Sequence, residues 1–119
     1  MPKLLIIDDE ADIREYAKSF FKKRGLEMFT ASNGQEGIDI IAAQNPDLVL
    51  LDMRMDGMSG MEVLQKLRGQ NWPGKVILIS GAEESEETSQ ARTLGIVDFV
   101  RKPLNLSELE KIVMRELGK

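Results

Sequence analysis

Acidic, hydroxyl and ammonium side chains stand directly after several short apolar runs of this chain. Asp8 and Asp9 follow the first run, Asp52 follows the densest one, Ser80 ends another, and Lys102 lies just past the last. Each residue type is common on surfaces, but their coincidence after four separate runs is hard to explain as solvation. If these runs are parallel strands of one sheet, three carboxylates, a hydroxyl and an ammonium meet at one edge.

Such a group of side chains predicts phosphoryl chemistry with a metal ion. Carboxylates held close together repel one another, and at least one keeps its proton unless a cation lies among them. The chain has no Cys and no His, so a bound metal must be a hard cation with oxygen ligands. Mg²⁺ fits because it prefers one or two carboxylates, several waters and a phosphate oxygen. A carboxylate beside Mg²⁺ and a lysine can attack phosphorus, while the cations neutralise charge on the equatorial oxygens.

The elements that would position these residues alternate along the chain as strand and helix. Short apolar runs predict strands, and the amphipathic stretches between them predict helices. The predicted strands are Leu4–Ile7, Glu27–Ala31, Leu48–Leu51, Val76–Ile79 and Ile96–Val100. The predicted helices are Asp12–Arg24, one that begins at the capping box Asn33/Glu36, one over Met61–Leu67, Glu84–Leu94, and one that begins at a second capping box, Ser107/Glu110.

This alternation predicts an α/β fold with a parallel sheet. Strands that are apolar on both faces indicate helices on each side of the sheet. Right-handed crossovers leave few topologies, and we predict a doubly wound, flavodoxin-like sheet of five strands in the order 2-1-3-4-5. Ligands of such sheets bind beyond the carboxyl ends of the strands. The length of 119 residues predicts a single domain over residues 1–119.

Composition and charge exclude several classes of function. The absence of Cys and His removes disulfides, thiolate nucleophiles and Ser-His catalysis. The formal net charge of −4 gives no broad attraction to nucleic acid or to anionic membranes. No segment has the pattern of a signal peptide or the length of a membrane span. We therefore expect a cytoplasmic protein with no direct nucleic-acid or membrane partner.

The whole chain resembles the receiver domain of bacterial two-component response regulators. The matching segments are Leu4–Glu10, Leu48–Met55, Gly57–Gly60, Val76–Gly81 and Phe99–Leu104. Each segment is weak alone, but the set is specific in its order and spacing. The resemblance implies a signalling phosphoprotein of a phosphorelay that catalyses only its own phosphorylation and dephosphorylation. Its phosphoryl donor would be a sensor histidine kinase or a phosphotransfer protein.

The resemblance also assigns roles at the predicted site. Asp52 is implied to accept the phosphoryl group, with Lys102 beside it. Asp8 and Asp9 are similar to the acidic pair that holds Mg²⁺ in this family. Asp52 itself and the backbone carbonyl of Arg54 would complete the protein ligands.

A conformational switch is implied in the same way. Ser80 is similar to the hydroxyl residue that contacts the phosphoryl group, and Phe99 to the aromatic residue that turns inward when the hydroxyl moves. The signal would reach an output protein or domain through the face of helix 4, strand 5 and helix 5. The Lys102–Pro103 peptide is expected to be cis, and Ala82 is expected to flank the phosphoryl group together with the residue two positions after the phosphoacceptor.

Three alternatives compete with this interpretation. A Mg²⁺-dependent phosphatase with an Asp nucleophile needs a cap domain and a second Asp two residues on, where this chain has Arg54. A flavin-binding electron carrier needs a phosphate-binding loop after the first strand, where this chain has Asp8-Asp9-Glu10. A receiver-like interaction module that is never phosphorylated stays open, although the intact acidic set argues against it.

Overall fold

The computed structural model describes residues 1–81 and 86–118, with the side chains of residues 86 and 87 excepted. Strands and helices alternate through this part of the chain, as the hydrophobic patterns predict. The strands are β1 (Lys3–Ile7), β2 (Glu27–Ala31), β3 (Leu48–Asp52), β4 (Val76–Ser80) and β5 (Asp98–Arg101). The helices are α1 (Ala11–Lys22), α2 (Gly34–Gln44), α3 (Gly60–Gly69), α4 (Glu86–Thr93) and α5 (Leu106–Glu116).

All five strands form one parallel sheet in the order β2-β1-β3-β4-β5. This order confirms the predicted doubly wound topology. The register pairs Ile7 with Leu51 and Asp52 with Ile79. The carboxyl ends of β1, β3 and β4 therefore lie side by side, which is the edge where the polar residues were expected.

The core lies on both faces of the sheet. Side chains alternate between the faces along a strand, so Leu5 and Ile7 join one buried cluster while Leu4 and Ile6 join the other. Helices α2 and α3 cover the first face, and α1 and α5 cover the second. Every residue of β3 and β4 is buried, which explains why these runs carry no polar alternation.

Side-chain caps define where three helices begin. Asn33 Oδ1 accepts from the Glu36 backbone N–H at 2.9 Å, as predicted for α2. For α5 the predicted capping residue Ser107 is wrong. Asn105 is the N-cap, with extended backbone and a bond from the Glu108 N–H at 3.2 Å. The helix begins two residues earlier because an Asn side chain reaches the N–H three positions on as readily as Ser does.

Other boundaries and faces differ from the prediction. The spacing of apolar residues predicts that Tyr16 lies on the apolar face of α1. This residue is instead 65% exposed, whereas Ala17 and Phe21 are fully buried. β5 begins at Asp98 rather than at Ile96. Helix α4 is described only from Glu86, so the predicted start at residue 84 lies outside the described residues, as does Ala82. Among the described helices, none is long and apolar enough to cross a membrane.

Candidate functional site

Lys102 joins the acidic side chains at the carboxyl edge of the sheet. Its Nζ donates a hydrogen bond to Asp52 Oδ2 at 3.1 Å. The same Nζ lies 3.5 Å from Glu10 Oε1 and 3.8 Å from Asp8 Oδ2. Burial alone lowers the pKa of Lys102, but the hydrogen bond to Asp52 and the surrounding negative charges outweigh it and raise the pKa. The lysine is therefore held as a cation among three carboxylates.

The loop that carries Lys102 is fixed by its backbone. The Lys102 backbone N–H donates to the Ser80 carbonyl at 2.8 Å, which extends the pairing of β5 with β4 by one bond. The Lys102–Pro103 peptide is cis, as the family resemblance predicts. The ammonium group thus starts from a backbone position that is anchored to the next strand.

Asp52 ends β3 and is almost completely enclosed, with 1% of its surface exposed. Oδ1 accepts from the Arg54 backbone N–H at 3.2 Å, and Oδ2 binds Lys102. Burial raises the pKa of Asp52 despite these bonds, and the charge of Asp9 adds to the rise. Helix α3 packs directly against this residue. The contact is so close that a Cβ added to Gly60 would lie 2.3 Å from the Asp52 carbonyl oxygen.

Asp8 is the buried carboxylate with an incomplete set of partners. Its side chain is fully enclosed, and Oδ1 accepts from the Glu10 backbone N–H at 2.9 Å. Among the described residues, Oδ2 finds no hydrogen-bond donor, since Lys102 Nζ at 3.8 Å is too distant for one. Burial raises the pKa of Asp8 to about 6, with added repulsion from Asp52 and Glu10. A buried charged oxygen without a partner is costly, so this atom favours binding of a cation.

Asp9 and Glu10 extend the acidic group toward solvent. One carboxylate oxygen from each of Asp8, Asp9 and Glu10 lies within 4.8 Å of the others. Asp9 Oδ2 accepts from the Asp56 backbone N–H at 3.2 Å. This bond links Asp9 to the loop that follows β3.

These donors fit a hard divalent cation. All are carboxylate oxygens, and one of them, Asp8 Oδ2, is buried with no hydrogen-bond donor in the part of the chain that the structure describes. Mg²⁺ binds such oxygens while keeping several of its waters. Glu10 was not predicted for the site, although its place directly after the acidic pair was a usable signal.

The predicted switch residues lie on neighbouring strands beside this site. Ser80 ends β4 and is 2% exposed. Phe99 on β5 is partly buried and pairs in register with Leu78 of β4. The structure therefore places the two residues on β4 and β5, the strands whose pairing Lys102 extends. The Arg54 side chain is exposed.

Comparison with known proteins shows which family and which fold the chain matches. The family model described as "Response regulator receiver domain" matches residues 4–114. The chain is 34% identical over 115 residues to Sporulation initiation phosphotransferase F of Bacillus subtilis, and the match covers 97% of this chain and 93% of that protein. It is 36% identical to Regulatory protein AtoC of Escherichia coli, of which the match spans only 25%.

Solved structures give the same result. Response regulator protein TrrA from Thermotoga maritima, crystallised in complex with Mg²⁺-BeF, is 34% identical with a TM-score of 0.84, and the match covers 98% of this chain and 99% of that one. A CheY-like response regulator receiver domain protein from Methanospirillum hungatei is 25% identical with a TM-score of 0.93, covering 99% and 94% of the two chains.

Proposed function

The chain belongs to the family of response regulator receiver domains, and from this premise we propose that Asp52 is its phosphoacceptor. A receiver domain is the signalling module of a two-component system. The observation that carries the assignment is the bond of 3.1 Å from Lys102 Nζ to the enclosed Asp52 carboxylate. Asp52 combines burial, a bound ammonium and an adjacent acidic group at the edge where this fold binds ligands.

The chemistry follows from these neighbours. An Asp52 oxygen attacks the phosphorus of a phosphohistidine on a sensor histidine kinase or a phosphotransfer protein. The P–N bond breaks, and its electron pair leaves with the imidazole nitrogen, which takes up a proton. Lys102, already at hydrogen-bond distance from Asp52, binds an oxygen of the transferred group. Ser80 at the end of β4 donates its hydroxyl to another oxygen.

We propose that the acidic group holds Mg²⁺. Asp8, Asp9, Asp52 and the backbone carbonyl of Arg54 would be its protein ligands. When bound, Mg²⁺ neutralises charge on the phosphoryl oxygens. The Oδ2 of Asp8, which has no hydrogen-bond donor among the described residues, supports this assignment. Glu10, with a carboxylate oxygen within 4.8 Å of those of Asp8 and Asp9, would bind a water of the ion.

The output surface proposed is the α4-β5-α5 face. Phosphorylation would draw Ser80 toward Asp52, and Phe99 would turn into the space that Ser80 leaves. Within residues 88–93, α4 buries only Thr88 and Ala91, which supports a weakly held helix that could shift. Amide exchange with beryllium fluoride and Mg²⁺ should then change at α4 and around Phe99 more than at α2. Changes spread evenly over the chain would contradict this switch.

We propose that the phosphoryl transfer to Asp52 takes place in the cytoplasm. The net charge of −4 and the acidic site give no attraction for nucleic acid. The partners are therefore proteins: a phosphoryl donor and an output protein or domain.

The phosphoacceptor is tested with acetyl phosphate and intact-mass measurement. The protein should gain one phosphoryl group, and the gain should disappear with EDTA and in Asp52→Asn. Asp39→Asn, the same change at an exposed position of α2, is the matched control and should be labelled like the unchanged protein. Equal labelling of Asp52→Asn and the control would refute the assignment.

A further inference from the structure

Arg14 on α1 reaches back to the backbone of the acidic group. Its Nη1 donates a hydrogen bond of 2.7 Å to the carbonyl oxygen of Asp8, six residues earlier. The side chain is half-buried. The bond is short and charge-assisted, which is the stronger kind of hydrogen bond.

This bond completes the backbone hydrogen bonding of a buried residue, Asp8. Asp8 is fully enclosed, and its N–H donates to the Ala31 carbonyl at 3.1 Å on β2. Its carbonyl receives the Arg14 guanidinium. A buried carbonyl without a donor costs about 1–3 kcal/mol, so Arg14 stabilises this orientation of the peptide over others.

The orientation of that peptide determines where Asp9 points. A peptide unit is planar, so fixing the Asp8 carbonyl also fixes the direction in which the chain enters Asp9. The Asp9 carboxylate is exposed, and the Asp56 N–H is its hydrogen-bond donor within the described residues. Packing therefore does little to place the Asp9 side chain, which depends on the Asp56 N–H and on the backbone that Arg14 holds.

Arg14 also differs from the other cation of the site. Lys102 Nζ lies within 3.8 Å of three carboxylates. Among the carboxylates of residues 1–81 and 88–118, Arg14 has no ion-pair partner, and its guanidinium bonds a carbonyl instead. It therefore orders the acidic group while leaving the carboxylate oxygens available.

We propose that Arg14 is a positioning residue for the Mg²⁺ site, acting through the peptide between Asp8 and Asp9. The proposal rests on the proposed function, because it requires that the acidic group binds Mg²⁺. The proposal predicts a change in Mg²⁺ affinity opposite in direction to the change that charge alone predicts. Charge alone would make removal of Arg14 strengthen Mg²⁺ binding, since a nearby cation is lost. Positioning predicts weaker binding, by about tenfold, as for other groups that orient metal ligands.

Isothermal titration of the full chain with Mg²⁺ distinguishes these signs. Arg14→Met should weaken Mg²⁺ binding about tenfold. Arg14→Lys keeps a charged donor of similar reach and should recover part of the loss. Lys18→Met removes one positive charge one turn further along α1 and is the matched control, with unchanged or slightly stronger binding.

A second measurement needs no metal and reports on the peptide itself. In metal-free buffer the Asp9 amide resonance should shift more in Arg14→Met than in Lys18→Met, because Asp9 N belongs to the bonded peptide. If Arg14→Met does not fold, Arg14→Lys should show both effects, weaker Mg²⁺ binding and a shifted Asp9 amide, at smaller size than expected for Arg14→Met, and the absence of both effects in Arg14→Lys would then overturn the proposal. Equal or tighter Mg²⁺ binding by Arg14→Met, or an Asp9 amide resonance that does not move in this variant, would overturn the proposal while the proposed function stands. Absence of Mg²⁺ binding in the unchanged protein would overturn both.

Discussion

Replacing Asp8 by Asn should stabilise the metal-free protein at neutral pH. Burial raises the pKa of Asp8 from 3.8 to about 6, so the native state holds this proton more tightly than the unfolded chain does. Between these pH values the unfolded chain has released the proton while the native state keeps it. The free energy of unfolding therefore falls as the pH rises through this window, and the loss is complete above it. Asn does not titrate and removes this loss.

The magnitude follows from the shift of the pKa. A rise from 3.8 to about 6 corresponds to about 3 kcal/mol at about 1.4 kcal/mol per pH unit. Asn can still accept the Glu10 N–H through Oδ1. Its amide nitrogen would replace Oδ2, the atom 3.8 Å from Lys102 Nζ, and an unmatched donor there costs about 1 kcal/mol. We expect a net gain of about 2 kcal/mol at pH 7, and a loss of about 1 kcal/mol at pH 3.

Urea unfolding in EDTA at several pH values between 3 and 7 measures this difference. The free energy of unfolding of Asp8→Asn minus that of the unchanged protein should rise between pH 4 and pH 6 and level off above. Asp39→Asn on the exposed side of α2 should show no comparable rise. Mg²⁺ at ten times its Kd should stabilise the unchanged protein by about 1.4 kcal/mol and should stabilise Asp8→Asn less.

Two results would refute this reasoning. Asp8→Asn could be less stable than the unchanged protein at pH 7 in EDTA, which would mean that the carboxylate is stabilised where it lies. Alternatively, the difference could stay constant from pH 3 to pH 7, which would mean that Asp8 does not change its protonation in that range. Either result would remove the physical reason for expecting a cation at this oxygen.

Four further changes test the packing of α3 and the exposed acid of the site. Gly60→Ala places a Cβ 2.3 Å from the Asp52 carbonyl oxygen, so it should cost about 1–3 kcal/mol in urea unfolding and slow labelling by acetyl phosphate. Gly69→Ala, in the same helix with no atom within 4 Å of the added Cβ, should instead gain up to about 1 kcal/mol. Arg68→Met removes hydrogen bonds of 2.7 to 2.9 Å to three backbone carbonyls of the α3–β4 and α4–β5 connections and should lower the free energy of unfolding by about 3 kcal/mol. Asp9→Ala should weaken Mg²⁺ binding in calorimetry without lowering the melting temperature in EDTA, because this side chain is exposed.

The fold could be predicted because its signals are periodic and local. The run Leu48–Leu51 is apolar on both faces, which is typical of a central parallel strand, and all four residues are fully buried in β3. Once the strand order is known, chain topology alone brings Asp52 and Lys102 to one edge. The sequence could thus predict that these two residues lie close together, although they are 50 residues apart in the chain.

Contacts that depend on a single side-chain conformation could not be predicted. The bond from Arg14 to the Asp8 carbonyl follows from the path of the loop between β1 and α1, which leaves no periodic signal. The contact of Glu10 with Lys102 depends in the same way on how that loop turns. The unpartnered oxygen of Asp8 also needs the structure, because sequence cannot reveal how many donors a buried carboxylate finds.

The unfavourable negative charge of Asp8 and the affinity of the site for a cation have one physical origin. Four carboxylates, those of Asp8, Asp9, Glu10 and Asp52, interact at this edge, and Lys102 Nζ contacts three of them. A cation that binds only the native state relieves the repulsion and stabilises the fold by linkage. The two acids of the predicted pair should therefore behave differently when each is neutralised. Removing the buried charge at Asp8 should raise stability and weaken Mg²⁺ binding together, whereas removing the exposed charge at Asp9 should weaken binding alone.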